Sequence, residues 1–286
     1  MNALVMGAGF TGSSVAQFLA QQGWAVLVTN RSGQSIQGLE VPVVAYEMTE
    51  SRQVNGLSPE QCERITHLLT TIAPTAAGTD PLWTGMMANH AHLAFPNLQW
   101  LGYLSTTGVY GDTQGAWVDE LSPPQPGNAR SQTRFTLEQQ WLASGFPMHI
   151  FRLPGIYGPG RSTFERLRMG KAQNIIKPGH VFCRIHVDDI VQALYRSMIA
   201  PAPGSIYNVV DDEPCEPREL VLYAAKLMGI EPPDPILFHQ AAFSPMGLSF
   251  WQECRRVSNQ KIKQHLGVKL LYPTYREGLR AIFSAQ

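Results

Sequence analysis

The sequence predicts an α/β fold in which a doubly wound parallel sheet is followed by a smaller C-terminal lobe. Three observations predict it: short uninterrupted apolar runs, helical patterns between those runs, and a change of character after about residue 155. Strands of a parallel sheet are buried on both faces, and they therefore read as continuous apolar runs. At 286 residues the chain is long enough for one large domain with an added lobe.

The first half supplies the strands of the expected sheet. Apolar runs occupy residues 3–6, 25–29, 41–45, 65–72, 98–104 and 148–153. The first run leads into a glycine cluster and then into residues 13–22, where apolar side chains recur at helical spacing. We therefore expect residues 1–155 to form the domain that contains the sheet.

Residues 156–286 are expected to form the smaller, substrate-binding lobe. Its connections are rich in proline, and its helical patterns lie at residues 163–169, 187–199, 217–228 and 259–266. Two strand-like runs interrupt it, at residues 184–186 and 206–210. We expect the segment 184–210 to return to the sheet of the first domain.

Composition and charge exclude several classes of partner. The 22 basic and 22 acidic residues give a net charge of zero, without the basic excess typical of nucleic-acid or anionic-membrane binding. The four isolated cysteines form no metal-binding or redox motif, so no metal is expected. No signal peptide or membrane-spanning run is evident. We expect a soluble cytoplasmic protein with a small-molecule substrate, and a homodimer is left open.

A glycine loop follows the first apolar run. The loop reads Gly7-Ala8-Gly9-Phe10-Thr11-Gly12, the G-x-G-x-x-G pattern, between an expected strand and an expected helix. In that context the first glycine permits a tight turn, the second lets a pyrophosphate approach the backbone, and the third lets helix and strand pack closely. The helix N-terminus then favours the phosphates. This pattern predicts a Rossmann-type domain that binds a nicotinamide dinucleotide.

The end of the second apolar run bears on the choice between NAD and NADP. An acidic residue there would hold the ribose 2′-hydroxyl of NAD. This chain has Asn30-Arg31-Ser32 instead, and a guanidinium can pair with a 2′-phosphate. The sequence therefore favours NADP, with NAD as the alternative.

Four segments in order carry a resemblance to a known family. They are residues 104–112 (LSTTGVYGD), 152–160 (RLPGIYGPG), 184–190 (RIHVDDI) and 207–214 (YNVVDDEP). With the glycine loop, they make the chain resemble extended and atypical short-chain dehydrogenases/reductases of the NAD(P)-dependent epimerase/dehydratase family. The resemblance implies a Rossmann fold and a nicotinamide cofactor.

The resemblance also implies site residues. Thr106 takes the position of the catalytic hydroxyl, and Tyr157 is expected to line the substrate pocket. Further cofactor contacts are expected from Glu47, Thr71, Ser105, Arg134 and Pro154.

The family's Tyr-x-x-x-Lys pair is replaced in this chain. Alignment on Glu138 puts Arg130 at the tyrosine position and Arg134 at the lysine position, and no tyrosine is followed four residues later by lysine. Arginine stays protonated and cannot act as the base, but Arg134 can still contact the ribose. The acidic pair of the family's dehydratases is also replaced, by Thr107 and Gly108.

Two functions remain open from these residues. One is an NADP-dependent reductase, epimerase or dehydratase acting on a small hydroxyl- or carbonyl-bearing substrate, with Thr106, Arg130, Arg134 and Tyr157 as its catalytic candidates. The other is a protein that binds NADP(H) as a redox sensor without turning a substrate over. Retention of the glycine loop and Arg31 fits both, whereas loss of the Tyr/Lys pair fits the second directly.

Overall fold

A computed structural model of the protein describes residues 1–46, 57–75, 77–88 and 95–285. Within these residues the strands are β1 (Asn2–Met6), β2 (Ala25–Asn30), β3 (Val43–Ala45), β4 (His67–Thr70), β5 (Trp100–Thr106), β6 (Trp117–Val118), β7 (Met148–Leu153), β8 (Gly155–Tyr157), β9 (Asn174–Ile176), β10 (Arg184–His186), β11 (Ser205–Asn208), β12 (Pro235–Leu237) and β13 (Arg256–Val257). The helices are α1 (Phe10–Gln21), α2 (Pro59–Arg64), α3 (Pro81–Ala88), α4 (Ala129–Leu142), α5 (Thr163–Arg168), α6 (Val187–Ile199), α7 (Pro217–Met228), α8 (Pro245–Trp251), α9 (Gln260–His265) and α10 (Tyr275–Ser284).

A seven-stranded parallel sheet confirms the α/β fold. Among the described residues its strand order is β11-β7-β5-β4-β1-β2-β3. The register pairs Leu4 of β1 with Leu27 of β2 on one side and with Leu68 of β4 on the other. The strand order reverses at β1, because the chain first builds outward to β3 and then returns to the opposite side of β1. In sheets of this kind, ligands bind at the carboxyl ends of the strands where the order reverses.

Alternate residues of the strands face opposite sides of the sheet. Leu101 and Tyr103 of β5 belong to a buried cluster that also contains Leu82 of α3 and Leu137 of α4. On the other face, the Nε1–H of Trp100 donates a 3.0 Å hydrogen bond to a hydroxyl of α6. This period of two explains why the strands are apolar throughout: both faces of the sheet are covered by helices.

The described chain divides into two compact units that are discontinuous in sequence. The first consists of Met1–Ser105, Thr133–Phe151 and Val191–Tyr207, and the second of Thr106–Gln132, Arg152–Ile190 and Asn208–Gln286. The sequence suggested one boundary near residue 155, because a linear reading cannot show that the chain passes several times between units. Strand β11 is an edge strand of the seven-stranded sheet, whereas β10 pairs with β8 in the second unit.

The second unit has its own core and its own short strand pairs. These pairs are β10 with β8, β12 with β9, and β13 with β6. A buried cluster joins Tyr157 and Phe164 to residues of α7 and α10, including Ala224 and Leu279. In the part of the chain that the structure describes, no helix has the length and apolarity needed to cross a bilayer.

Candidate nucleotide-binding and active site

The loop between β1 and α1 requires glycine at two positions. Gly7 has φ of +100°, a conformation that residues with a Cβ rarely adopt, and an added Cβ there would lie 2.5 Å from the Thr71 hydroxyl. At Gly12 an added Cβ would lie 1.9 Å from the carbonyl oxygen of Gly7. The first and third glycines are therefore fixed by the packing of the loop itself.

Gly9 is different, because nothing in the described structure lies within 4 Å of the place where its Cβ would be. It is the N-cap residue of α1 and, lacking a side chain, leaves the first turn without a side-chain cap. Phe10 and Thr11 form that first turn, where backbone N–H groups and the helix dipole favour an anion. The free space over Gly9 and the N–H groups of this turn are the features that the pyrophosphate of a dinucleotide requires.

Two threonines hold the glycine loop in place, and they lie at the carboxyl ends of β2 and β4, the two strands that flank β1. The N–H of Gly7 donates to Thr29 Oγ1 at 3.1 Å, and the N–H of Ala8 donates to the Thr29 carbonyl at 2.9 Å. Thr71 Oγ1 donates to the Gly7 carbonyl at 2.8 Å. Thr71 was expected to contact the cofactor, and in the structure it shapes the loop. Thr29 was missed, although a hydroxyl inside the apolar run of β2 is a usable signal.

The segment after β2 presents Arg31 on a short, internally bonded loop. The Asn30 amide donates to the Gln34 carbonyl at 2.8 Å, and its Oδ1 accepts the N–H of Gly33 at 2.6 Å. Asn30 therefore closes the loop, while Arg31 and Ser32 are both exposed. Glu47, also expected to contact the cofactor, lies outside the described residues.

Helix α4 places two polar side chains against the end of β5. Ser105 donates its hydroxyl proton to the buried carboxylate of Glu138. One turn earlier, Arg134 Nη1 donates to the Leu104 carbonyl at 2.6 Å and to the Tyr103 hydroxyl at 3.3 Å. The Ser105 hydrogen bond therefore holds α4 against β5. Nη1 of Arg134 is already used in hydrogen bonds to the end of the same strand.

A buried carboxylate that sequence reasoning missed lies close enough to Arg134 to interact electrostatically. Asp80 accepts hydrogen bonds from the Trp141 indole at 3.0 Å and from the Leu82 N–H at 2.8 Å. Burial raises the pKa of Asp80, and Arg134 opposes that rise. Burial likewise raises the pKa of Tyr103 to about 12, so this phenol stays protonated at neutral pH.

In the second unit, Thr106 lies at the N-terminus of a single 3₁₀ turn, Thr107–Tyr110. Its Oγ1 accepts the N–H of Gly108 at 3.0 Å, which leaves the hydroxyl proton available for donation. An added Cβ at Gly108 would lie 2.5 Å from Ser131 Oγ and 3.3 Å from Thr106 Oγ1. An acidic side chain therefore does not fit at position 108 without rearrangement, which agrees with the loss of the dehydratase acids.

Arg130, which the sequence predicts to take the position of the family's tyrosine, is exposed in the first turn of α4. Its guanidinium carbon lies 4.8 Å from the centroid of the Phe250 ring. Among the described residues, no carboxylate forms an ion pair with Arg130. The partner Phe250 was not found by sequence reasoning, because it lies 120 residues away in a segment without a motif.

Tyr157 lies in the core of the second unit. Its hydroxyl is buried without a hydrogen-bond partner among the described residues, and it packs so closely on Gly278 that a Cβ there would lie 2.2 Å away. Burial raises its pKa strongly, and the carboxylate of Asp211 adds to that rise. These surroundings argue against proton transfer by Tyr157. Pro154 follows β7 directly and is half-buried.

The segment that contains His186 and Asp189 braces the second unit. Asp189 accepts the N–H groups of Leu271 at 2.7 Å and Tyr272 at 3.1 Å, and burial raises its pKa to about 6. The His186 ring packs edge-on against Tyr157, with 5.2 Å between centroids. These contacts describe a structural role for the segment.

Comparison with known proteins assigns the family. Residues 3–210 match the NAD dependent epimerase/dehydratase family, and the chain belongs to it. A conserved protein of unknown function from Silicibacter pomeroyi DSS has a solved structure with a TM-score of 0.89 and 43% identity, covering 99% of this chain and 98% of that one. The resemblance inferred from the motifs is therefore confirmed.

Two further relatives define how far the similarity reaches. The dTDP-glucose 4,6-dehydratase of Bacillus anthracis, solved in complex with NAD, has a TM-score of 0.80 and 19% identity over 99% of this chain and 96% of that chain, and it shows the fold alone. Protein YeeZ of Escherichia coli K12 is 32% identical over 175 residues, 60% of this chain and 58% of YeeZ. The match therefore spans less than two thirds of that relative.

Proposed function

We propose that this protein is an NADP(H)-dependent oxidoreductase that acts on a small hydroxyl- or carbonyl-bearing substrate. The observation that carries the proposal is the glycine loop, which is closed by packing at Gly7 and Gly12 and open at Gly9. The bound nicotinamide would supply hydride exchange with a substrate carbon. The chain itself contributes binding, orientation and hydrogen-bond donors.

The preference for NADP over NAD rests on the loop after β2. Asn30 uses its side chain to close that loop, and Arg31 is exposed on it. A guanidinium pairs well with a phosphate, and the missing acid removes the repulsion that an NAD-type site would impose.

On the substrate side, the donor that we assign is the Thr106 hydroxyl. Its oxygen is already bonded to the N–H of Gly108, which orients the group, and its proton can be donated to a substrate oxygen. Arg130 and Arg134 hold the positions of the family's tyrosine and lysine, and neither can accept a proton at physiological pH. Hydrogen-bond donors stabilise the negative charge on the substrate oxygen during hydride transfer in either direction. The proton that this oxygen gains on reduction, or loses on oxidation, would be exchanged with water.

The cofactor assignment is tested by fluorescence titration of NADPH and NADH. We expect tighter binding of NADPH, and Arg31→Glu should reverse the preference, because loss of one charge-assisted contact alone costs about tenfold in Kd. Arg196→Gln, which removes an exposed arginine of α6, is the matched control. Absence of binding to either dinucleotide contradicts the proposal, and equal effects of the two substitutions contradict the role of Arg31.

A second candidate is a redox sensor that binds NADP(H) without turnover. The observation that favours it is the hydrogen bond from Arg134 Nη1 to the Leu104 carbonyl at 2.6 Å. This group of Arg134 is therefore used in a structural contact and does not lower the pKa of a tyrosine base. The two candidates are separated by incubating the NADPH complex with a panel of carbonyl compounds. Loss of NADPH fluorescence with any of them supports the oxidoreductase, and stable fluorescence across the panel supports the sensor.

A further inference from the structure

Arg130 is a cation whose position is not explained by helix stability. It stands in the first turn of α4, where the helix dipole disfavours positive charge, and that turn contains no acidic residue. Its guanidinium carbon lies 4.8 Å from the centroid of the Phe250 ring. This positive charge is disfavoured by the helix dipole and has no counter-ion among the described residues. Both features are compatible with a residue that binds an anionic ligand.

The carboxylate of Glu253, which contacts the residue before α4, is already paired. Glu253 is almost fully buried, and its Oε1 accepts the Asn128 amide at 2.9 Å. Its Oε2 pairs with Arg255 at 2.7 Å. Both carboxylate oxygens of Glu253 therefore have partners other than Arg130.

The ring beneath Arg130 belongs to a well-packed segment. Phe250 is followed by Trp251, the buried last residue of α8, whose ring stacks on His180 with 5.3 Å between centroids. Phe238 and Phe243 also pack on Trp251, at 5.6 and 5.7 Å. Phe250 itself keeps 47% of its surface exposed. The ring can therefore orient the guanidinium in advance while leaving its edge open to solvent.

The first turn of α4, which contains Arg130, lies beside the turn that presents the Thr106 hydroxyl. Ser131, the residue after Arg130, has its Oγ 2.5 Å from the place where a Cβ of Gly108 would be. The Thr106 Oγ1 lies 3.3 Å from the same point. The start of α4 is thus packed directly against the turn that presents Thr106.

We propose that Arg130, oriented by Phe250, binds a carboxylate or phosphate group of the substrate. The reacting oxygen of the same substrate accepts a hydrogen bond from Thr106. The proposal deepens the proposed function and rests on it for the identity of the reacting oxygen. A planar guanidinium binds such anions through two parallel hydrogen bonds. The substrate class is therefore a small anionic carbonyl or hydroxyl compound, and neutral analogues should bind weakly.

The test is calorimetric titration of the full-length protein with malonate and, separately, with inorganic phosphate. Each titration is performed with and without bound NADPH. The variants are Arg130→Gln, Arg130→Lys and Phe250→Leu, and Arg196→Gln is the control that removes one exposed arginine from α6. Circular dichroism and melting temperature verify that each variant is folded.

We expect at least one anion to bind, and Arg130→Gln to weaken it about tenfold or more. Arg130→Lys should retain part of the affinity, Phe250→Leu should lose part of it, and Arg196→Gln should match the wild type. A preference for malonate assigns a carboxylate, and a preference for phosphate assigns a phosphate group.

The proposal is overturned if neither anion binds the folded wild type, or if Arg130→Gln weakens binding no more than Arg196→Gln. Failure of NADPH to bind would count against the proposed function alone. The titrations without NADPH would still decide whether Arg130 binds an anion, so the two failures are distinguishable.

Discussion

The hydroxyl of Tyr110 joins Arg152 to Asn208 in the interior of the second unit. Arg152 Nη1 donates to the Tyr110 oxygen at 2.9 Å, and the Tyr110 hydroxyl donates to Asn208 Oδ1 at 2.8 Å. All three side chains are buried, and burial raises the pKa of Tyr110. One phenol therefore connects three of the segments that carry the family resemblance, which shows that those segments pack together in this chain.

Replacement of Tyr110 by phenylalanine should destabilise the protein. The substitution keeps the ring but leaves buried groups of Arg152 and Asn208 without this partner, and an unmet buried group costs about 1–3 kcal/mol. Urea unfolding measures the change in free energy of unfolding. Tyr223→Phe, at a half-buried tyrosine, is the control and should have little effect. Equal losses for the two variants would contradict the network's importance.

Substitution of Gly9 by valine should weaken cofactor binding without unfolding the protein. A Cβ at Gly9 meets nothing within 4 Å, so the fold tolerates it, but the branched side chain would occupy the space assigned to the pyrophosphate. We expect NADPH affinity to fall by about tenfold or more, because charge-assisted contacts are lost. The measurement is fluorescence titration alongside a melting curve. Wild-type affinity in the variant would remove the glycine loop from the site.

The contact between Gly108 and Ser131 should appear as coupled mutational effects. Gly108→Ala places a methyl group 2.5 Å from Ser131 Oγ and should cost about 1–3 kcal/mol of stability through overpacking. Ser131→Ala removes the obstructing oxygen, so the double variant should lose less than the sum of the single variants, by about 1 kcal/mol. Chemical denaturation of all four proteins gives the coupling energy, and strict additivity would contradict the close contact.

Acid should destabilise the protein partly through His149. This histidine is fully buried, its Nε2 accepts the N–H of Ala202 at 2.9 Å, and burial lowers its pKa to about 4. Its unfolded pKa is near 6.5, so between these values the unfolded state binds the additional proton. Stability is therefore complete above about pH 6.5 and falls by about 2–3 kcal/mol as the pH drops towards 4.

The variant His149→Gln tests that assignment. It should be less stable at pH 7 but should lose less additional stability between pH 7 and pH 4.5 than the wild type, as measured by urea unfolding at both values. His239→Gln, at an exposed histidine, should keep the wild-type pH dependence. An unchanged slope in His149→Gln would show that other groups cause the acid sensitivity.

Most of the longer helices and strands could be predicted because helical periodicity and apolar runs are visible within a few consecutive residues. Helices α6 and α7 have the bounds that the periodicity indicated, and β1, β2 and β7 differ from their apolar runs by no more than one residue. The short strands β9 and β12 had no comparable signal, because their three residues each gain strand geometry only by pairing with each other.

For the site, the sequence by itself determined the glycine loop and the fold class, and it predicted that Arg130 and Arg134 replace the Tyr/Lys pair. These follow from residue types at fixed spacing along one chain. Only the tertiary structure decided that Thr29 fastens the loop, that Ser131 fills the space beside Gly108, and that Phe250 lies under Arg130. Such contacts join residues far apart in sequence, and their energies depend on distance and burial, which residue spacing does not encode.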